Sequence, residues 1–312
     1  MRTLVLYIFI KFIFVFLNLF EVNAQCTFHR LYTYNDTIYD FGNTVIQTLD
    51  GGFISVGNTN TVFSPIFEGI FIVKTDKCGD TLWQRAYDFS PLGGDPGNSV
   101  IQLQDSTYVI CGWRLDSIEG ARDTYLLKLN QDGDIIWYKP VDAGYNDFGI
   151  IHKQTKDEGF IIGGYKFDSV MTASQIFLIK TDSTGNIQWQ QEYIDSAYLY
   201  AIDKSQDGGY ILSGEILNPA SNSWDLFLIK TDSIGNLEWE KYYGDNYSQF
   251  QGYAVTTIDG GYVMVGRTYD AGGDMDGYIL KTDSLGNVEW EKVYGTNDEF
   301  ERFKFVRQLP EG

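Results

Sequence analysis

Lys180-Thr181-Asp182-Ser183-Thr184-Gly185-Asn186-Ile187-Gln188-Trp189 is the stretch that decides how this chain folds. An apolar run, Ile176-Phe177-Leu178-Ile179, stops at Lys180, and a second run resumes at Ile187. Between them, Asp can hydrogen-bond its own backbone, and Gly or Asn can take the positive φ of a tight hairpin. β-branched and aromatic residues dominate both sides, so the stretch reads as strand, turn, strand rather than as a helix cap. Near-identical copies run over 230–239 and 281–290, with looser ones over 74–83 and 128–137.

The copies keep a beat. Trp83, Trp137, Trp189, Trp239 and Trp290 lie 54, 52, 50 and 51 residues apart. A second marker shares the period: Asp50-Gly51-Gly52, Asp105-Ser106-Thr107, Asp157-Glu158-Gly159, Asp207-Gly208-Gly209 and Asp259-Gly260-Gly261. An aromatic-led apolar run ending in Gly follows each marker, as in Tyr210-Ile211-Leu212-Ser213-Gly214. Each unit therefore predicts four strands, placed in the fourth unit at 200–204, 210–215, 225–231 and 237–243. Four short antiparallel strands in about 50 residues is the period of a β-propeller blade. Solenoid coils repeat faster, and the 3.6 period of helical repeats is absent.

The expected fold is all-β, with five complete four-stranded blades. Phe28 to Tyr32 matches the spacing of Trp83 to Tyr87, a fourth strand without its first three. Phe303 to Leu309 reads as a first strand, with Pro310-Glu311-Gly312 where the Asp-Gly-Gly turn belongs. The expectation is a sixth, incomplete blade shared by the two termini, in a chain that continues past Gly312. Sharing a blade in this way hides sheet edges.

Residues 1–24 read as a signal peptide and 25–312 as the propeller domain. Arg2 precedes an apolar stretch from Leu4 to Phe20, Val22-Asn23-Ala24 offers a cleavage site, and Lys11 breaks the run below spanning length. No later segment approaches the length of a membrane span. The net charge is −19. So acidic a surface repels phosphate backbones, which argues against nucleic acid and suits a soluble extracellular protein. In an oxidising compartment, a Cys26–Cys78 disulfide is expected to tie down the N-terminus. Cys111 takes a strand position held in the other copies by Val56, Gly163, Ser213 and Val265, which suits a small buried filler.

Catalytic signals are sparse. The two histidines, His29 and His152, both lie in strand patterns, and no metalloprotease or nucleophile-elbow motif occurs. Asp182, Asp232 and Asp283 read as turn formers. Residues 130–134 and 270–277 gather oxygen ligands on loops, the second without the Asp spacing or distal Glu of a calcium loop, and no metal and no cofactor are expected. Inner strands carry Thr44, Gln102, His152, Lys153, Asp203 and Lys204 without common spacing. Loops after second and fourth strands vary in length and share one face, where binding usually resides. On that face Trp113, Tyr145, Trp224 and Tyr269 are the candidate ligand-binding residues.

The repeated Asp-Gly-Gly-aromatic run, followed by Lys-Thr-Asp-x-x-Gly-Asn-φ-x-Trp, resembles the repeat of secreted bacterial β-propellers over about residues 40–312. Those proteins are often exported by type IX secretion, so the resemblance implies a secreted or cell-surface location. The Gly four residues before each Trp also resembles the tryptophan-docking motif of quinoprotein-type propellers, with the Asp one residue nearer the Gly. That similarity implies that Trp83, Trp137, Trp189, Trp239 and Trp290 are structural and pack between blades. The expected function is a non-enzymatic binding or scaffold module, with protein or polysaccharide partners. The alternative is a propeller enzyme, quinoprotein-like dehydrogenase or polysaccharide lyase or hydrolase, with its site at the channel mouth.

Overall fold

A computed structural model describes residues 29–33, 40–60, 68–90, 94–115, 121–168, 174–245, 247–269, 273–296 and 300–309. They form five four-stranded antiparallel sheets. The first holds β1 (Asp40–Gln47), β2 (Phe53–Asn60), β3 (Glu68–Thr75) and β4 (Thr81–Tyr87). The second holds β5 (Gly97–Gln102), β6 (Tyr108–Leu115), β7 (Arg122–Leu129) and β8 (Ile135–Val141). The third holds β9 (Asp147–Gln154), β10 (Phe160–Phe167), β11 (Ser174–Thr181) and β12 (Ile187–Asp195). The fourth holds β13 (Ala197–Lys204), β14 (Tyr210–Asn218), β15 (Ser223–Thr231) and β16 (Leu237–Tyr243). The fifth holds β17 (Gln249–Thr256), β18 (Tyr262–Tyr269), β19 (Met275–Thr282) and β20 (Val288–Tyr294).

First strands succeed one another around an axis, β1 beside β5, then β9, β13 and β17. All five, with residues 304–306, wall a central channel of about 520 Å³. The sheets are therefore the blades of a β-propeller. β13 begins at Ala197, three residues before the expected strand, because Tyr200 forms a bulge. That bulge breaks the alternation from which a strand is read.

The turn of the repeated motif is local chemistry. Asp182 Oδ1 accepts from the backbone N–H groups of Thr184 and Asn186, each at 2.9 Å. Its other oxygen accepts from Asn186 Nδ2 at 2.8 Å. Asn130 does the same at the turn of the second blade, so the oxygen-rich 130–134 segment is a copy of this turn. Among the described residues no group of three or more His, Cys, Asp or Glu side chains gathers as a metal site would.

The core lies between blades. Ile54, Val56, Ile70 and Ile72 of the first blade pack with Val100, Ile110 and Leu127 of the second, and similar clusters join each later pair. The motif glues the same seams. Trp83, Trp137, Trp189 and Trp239 each meet the aromatic that opens the next blade's second strand, namely Tyr108, Phe160, Tyr210 and Tyr262. The next blade's turn Gly lies against the same indole: a Cβ on Gly235 would fall 2.6 Å from the Trp189 ring. Gly235 also has a φ of 84°, so turn and seam both require glycine there. Tyr193 and Tyr243 donate to the carbonyls of Gly235 and Gly286, each at 2.7 Å. Motif and receptor are thus one sequence, read twice.

The expected sixth, incomplete blade is not formed. Among the described residues the only bridge outside the five sheets is the parallel pair Met275–Phe300. Single contacts of the blade type persist in the flanking segments. Tyr32 donates to the Gly79 carbonyl at 2.8 Å, and Gln308 Oε1 accepts from Ile258 N as Gln102 Oε1 accepts from Leu49 N. Single contacts of this kind do not make a sheet, whose stability comes from strands paired along their length.

No helix among the described residues is long and apolar enough to cross a membrane. Cys78 is disulfide-bonded, whereas Cys111 is a free, buried thiol. Cys26 and the rest of residues 1–28 lie outside the described residues, as do 270–272 of the second oxygen-rich segment.

Two sets of carboxyls set an acidic stability optimum. Hydrogen bonds from Lys180 and Thr155 hold Asp157 at about 2, and those from Thr257 and Lys281 do the same for Asp259. Such groups stabilise the fold above pH ~4, and their contribution is lost as pH falls toward ~2. Burial pushes Asp147 up to about 7 and also raises Glu215. Those groups favour the fold below pH ~4, and that contribution is lost as pH rises through their folded values. Buried His152, pushed down to about 3, works the other way as pH falls below ~6.5. Asp95, raised by burial to about 6, adds to Asp147 and offsets it. The melting temperature is therefore expected to peak near pH ~4–5. A maximum at pH 7 or above in a thermal scan would refute this balance.

Candidate functional site at the channel mouth

Every second strand carries a Gly that meets the bulged first strand: Gly57, Gly112, Gly164, Gly214 and Gly266. A Cβ there would sit 1.7–2.5 Å from a carbonyl oxygen of the first strand or, at Gly112, of Pro96 just before it, so only Gly fits. The next residue differs in every blade: Asn58, Trp113, Tyr165, Glu215 and Arg267. An amide, an indole, a phenol, a carboxylate and a guanidinium thus occupy equivalent positions, with Phe41, Phe148, Tyr198 and Phe250 across the register in four of the five blades. Repetition elsewhere and variation here set these positions apart from the frame that carries them.

Aromatic rings connect these positions across four blades. Trp113 meets Phe148 edge-on at 5.3 Å, and Phe148 stacks on Tyr165 at 5.2 Å. Tyr165 meets Tyr198 at 4.9 Å, Tyr198 meets Trp224 at 5.6 Å, and Trp224 leads through Phe250 to Tyr269. Arg122 lies over both Trp113 and Phe148, 5.3 and 5.4 Å from the ring centres. Arg267 lies 5.1 Å over Phe250.

Beside the rings is a polar group. Glu215 is buried, its Oε1 accepting from Tyr200 Oη at 3.0 Å and its Oε2 from Gln251 N at 2.6 Å. Burial raises its carboxyl, and the nearby Arg267 charge works against that. Tyr200 and Tyr253 line the channel, their rings 5.4 Å apart.

Three of the four expected aromatics, Trp113, Trp224 and Tyr269, belong to this single network, each half-buried. Tyr145 is 41% exposed and makes no ring contact among the described residues. His152 is a core residue: it is buried, its Nδ1 lies 2.9 Å from Ser99 Oγ, and burial pushes its pKa down to about 3. His29 is exposed. Sequence reading missed Tyr165, Glu215, Gln251 and Arg267. The signal that could have found Tyr165, Glu215 and Arg267 is the one position after the strand-ending Gly that refuses to repeat; nothing local marks Gln251.

No protein-family model matches this sequence, and no curated protein matches it. In structure the chain is similar to a protein of unknown function from Dyadobacter fermentans DSM 18053, at 12% identity and a TM-score of 0.53. The match covers 82% of this chain and 83% of that one. It is also similar to the Hadza microbial sialidase Hz136, at 11% identity and a TM-score of 0.54. There it covers 81% of this chain and 58% of the sialidase. The likeness is one of fold.

Proposed function

We propose that this protein is a secreted binding module whose channel mouth holds a polysaccharide. The observation that carries the reading is the ring of unlike side chains joined by the Trp113-to-Tyr269 aromatic network. Aromatic faces stack on the C–H faces of sugars, and the interleaved Glu and Arg groups pair with hydroxyls. Export through the leader at residues 1–24, by type IX secretion to the cell surface, belongs to the same proposal. So does the Cys26–Cys78 disulfide as an N-terminal tether, which non-reducing peptide mapping would test.

A glycan array with the purified protein should return a polysaccharide class. Trp113→Ala and Tyr165→Ala should each weaken that binding by about tenfold or more, an effect typical of anchoring aromatics. Full retention in both variants would remove the mouth as the site. A second reading, glycan hydrolysis at the same mouth, is favoured by the hydrogen-bonded Glu215–Tyr200 pair. Release of reducing ends from the bound glycan would mark it.

A further inference from the structure

Gln251 is out of place in two ways. It is one of the few non-Gly residues with a left-handed backbone, at a φ of 60°. Its register position, opposite the second-strand Gly, is held in the first three blades by Gly42, Gly97 and Gly149. The β17–β18 ladder skips from Phe250–Arg267 to Tyr253–Val265, so Gln251 forms no ladder pair. Its N–H turns instead to Glu215 of the neighbouring blade, at 2.6 Å. Left-handed strain in a non-Gly residue persists where the surroundings over-determine it, and such residues cluster at binding sites.

The side chains here are not satisfied by the fold either. Gln251 Oε1 and Arg267 Nε are buried atoms without a hydrogen-bond partner among the described residues. Both residues nevertheless stay partly exposed beside the channel-lining Tyr200 and Tyr253. Unpaired buried polar atoms destabilise a fold and call for an explanation beyond packing.

We propose that Gln251, Arg267 and Glu215 form the specificity-determining subsite of the mouth, which takes the hydroxyl pair of a neutral sugar. This rests on the polysaccharide reading above. The guanidinium and the carboxamide donate, Glu215 and the carboxamide oxygen accept, and the Arg–Glu charges cancel. Donors and acceptors without net charge match vicinal hydroxyls. A chain carrying −19 repels uronates and sulfated glycans.

The test is titration of the intact protein with cellohexaose, xylohexaose, mannohexaose and oligogalacturonate, repeated with Gln251→Gly and Arg267→Lys. Glycine relieves the left-handed strain, so Gln251→Gly should melt no lower than the wild type while binding its neutral glycan about tenfold more weakly. Arg267→Lys keeps the charge, loses the planar fork, and should weaken binding comparably. Oligogalacturonate should bind no better than the neutral sugars. Binding within twofold of wild type in both variants overturns the subsite while leaving the polysaccharide reading standing. A preference for oligogalacturonate does the same. A lower melting temperature for Gln251→Gly also overturns it, because the side chain would then serve the fold. Wild-type protein that binds none of these probes overturns both proposals.

Discussion

Trp189→Ala is expected to destabilise the protein by about 3–5 kcal/mol, and Trp290→Ala by about 1 kcal/mol or less. Both tryptophans sit at the same place in the same motif. Trp189 is covered by the fourth blade: Tyr210 lies 6.4 Å from its ring centre, and a Cβ on Gly235 would fall 2.6 Å from it. Removing the indole empties a space that neighbours on two blades cannot close, so lost transfer energy and a residual cavity add together. Trp290 lies on β20, every residue of which is exposed, and it is itself 44% exposed. Its only ring partner among the described residues is the Lys292 ammonium, 5.9 Å from the ring centre. Trp83, Trp137 and Trp239 should behave as Trp189 does. Urea unfolding of the single variants measures the contrast. Equal losses at Trp189 and Trp290 would sink the claim that seams, rather than the motif's own hairpin, carry this energy.

That contrast also separates what was legible in the sequence from what was not. The Asp182–Asn186 turn is closed by atoms within five residues, so its repetition reveals strand number and blade period without any three-dimensional knowledge. The tryptophans are legible as a period too. The sixth blade was overread: Tyr32 and Gln308 keep blade-like contacts, but a sheet needs the strands between them. The mouth is harder, because its residues converge from different blades through a bulge that shifts register. Tyr165, Glu215 and Arg267 follow Gly in apolar strands and look like strand filler until the register aligns them. Gln251 was beyond reach, since nothing local announces a left-handed glutamine. Trp113, Trp224 and Tyr269 were named through loop length and lie in the ring network, whereas Tyr145, named by the same rule, makes no ring contact among the described residues.

Asp50→Ala should cost about 2–3 kcal/mol, whereas Asp207→Ala should cost about 1 kcal/mol, although the two aspartates do the same work in the turn. Each caps its own Asp-Gly-Gly turn: Asp50 accepts from Gly52 N at 2.9 Å and Asp207 from Gly209 N at 3.0 Å. Each also holds a lysine whose side chain is almost wholly buried, Lys74 or Lys230, at 2.8 Å. The difference lies eight residues beyond the lysine, on the fourth strand. Lys230 has a second carboxylate there, Glu238, at 2.7 Å. In the first blade that position is Leu82, so losing Asp50 leaves the Lys74 ammonium with the Thr75 carbonyl at 2.9 Å and no countercharge. An unpaired buried charge is what makes half of an ion pair costly to delete. The carboxylates themselves are more than half exposed, which keeps both figures well below those of a fully buried pair. The cancelling turn contributions make the comparison a measurement of the lysine alone. Leu82→Glu placed in the Asp50→Ala background should restore about 1 kcal/mol by supplying the missing carboxylate, read as a rise in the urea midpoint at unchanged slope. If Leu82→Glu restores nothing, the buried ammonium is satisfied by its backbone carbonyl, and the pairing of Lys-Thr-Asp with Asp-Gly-Gly is a matter of turn geometry rather than charge.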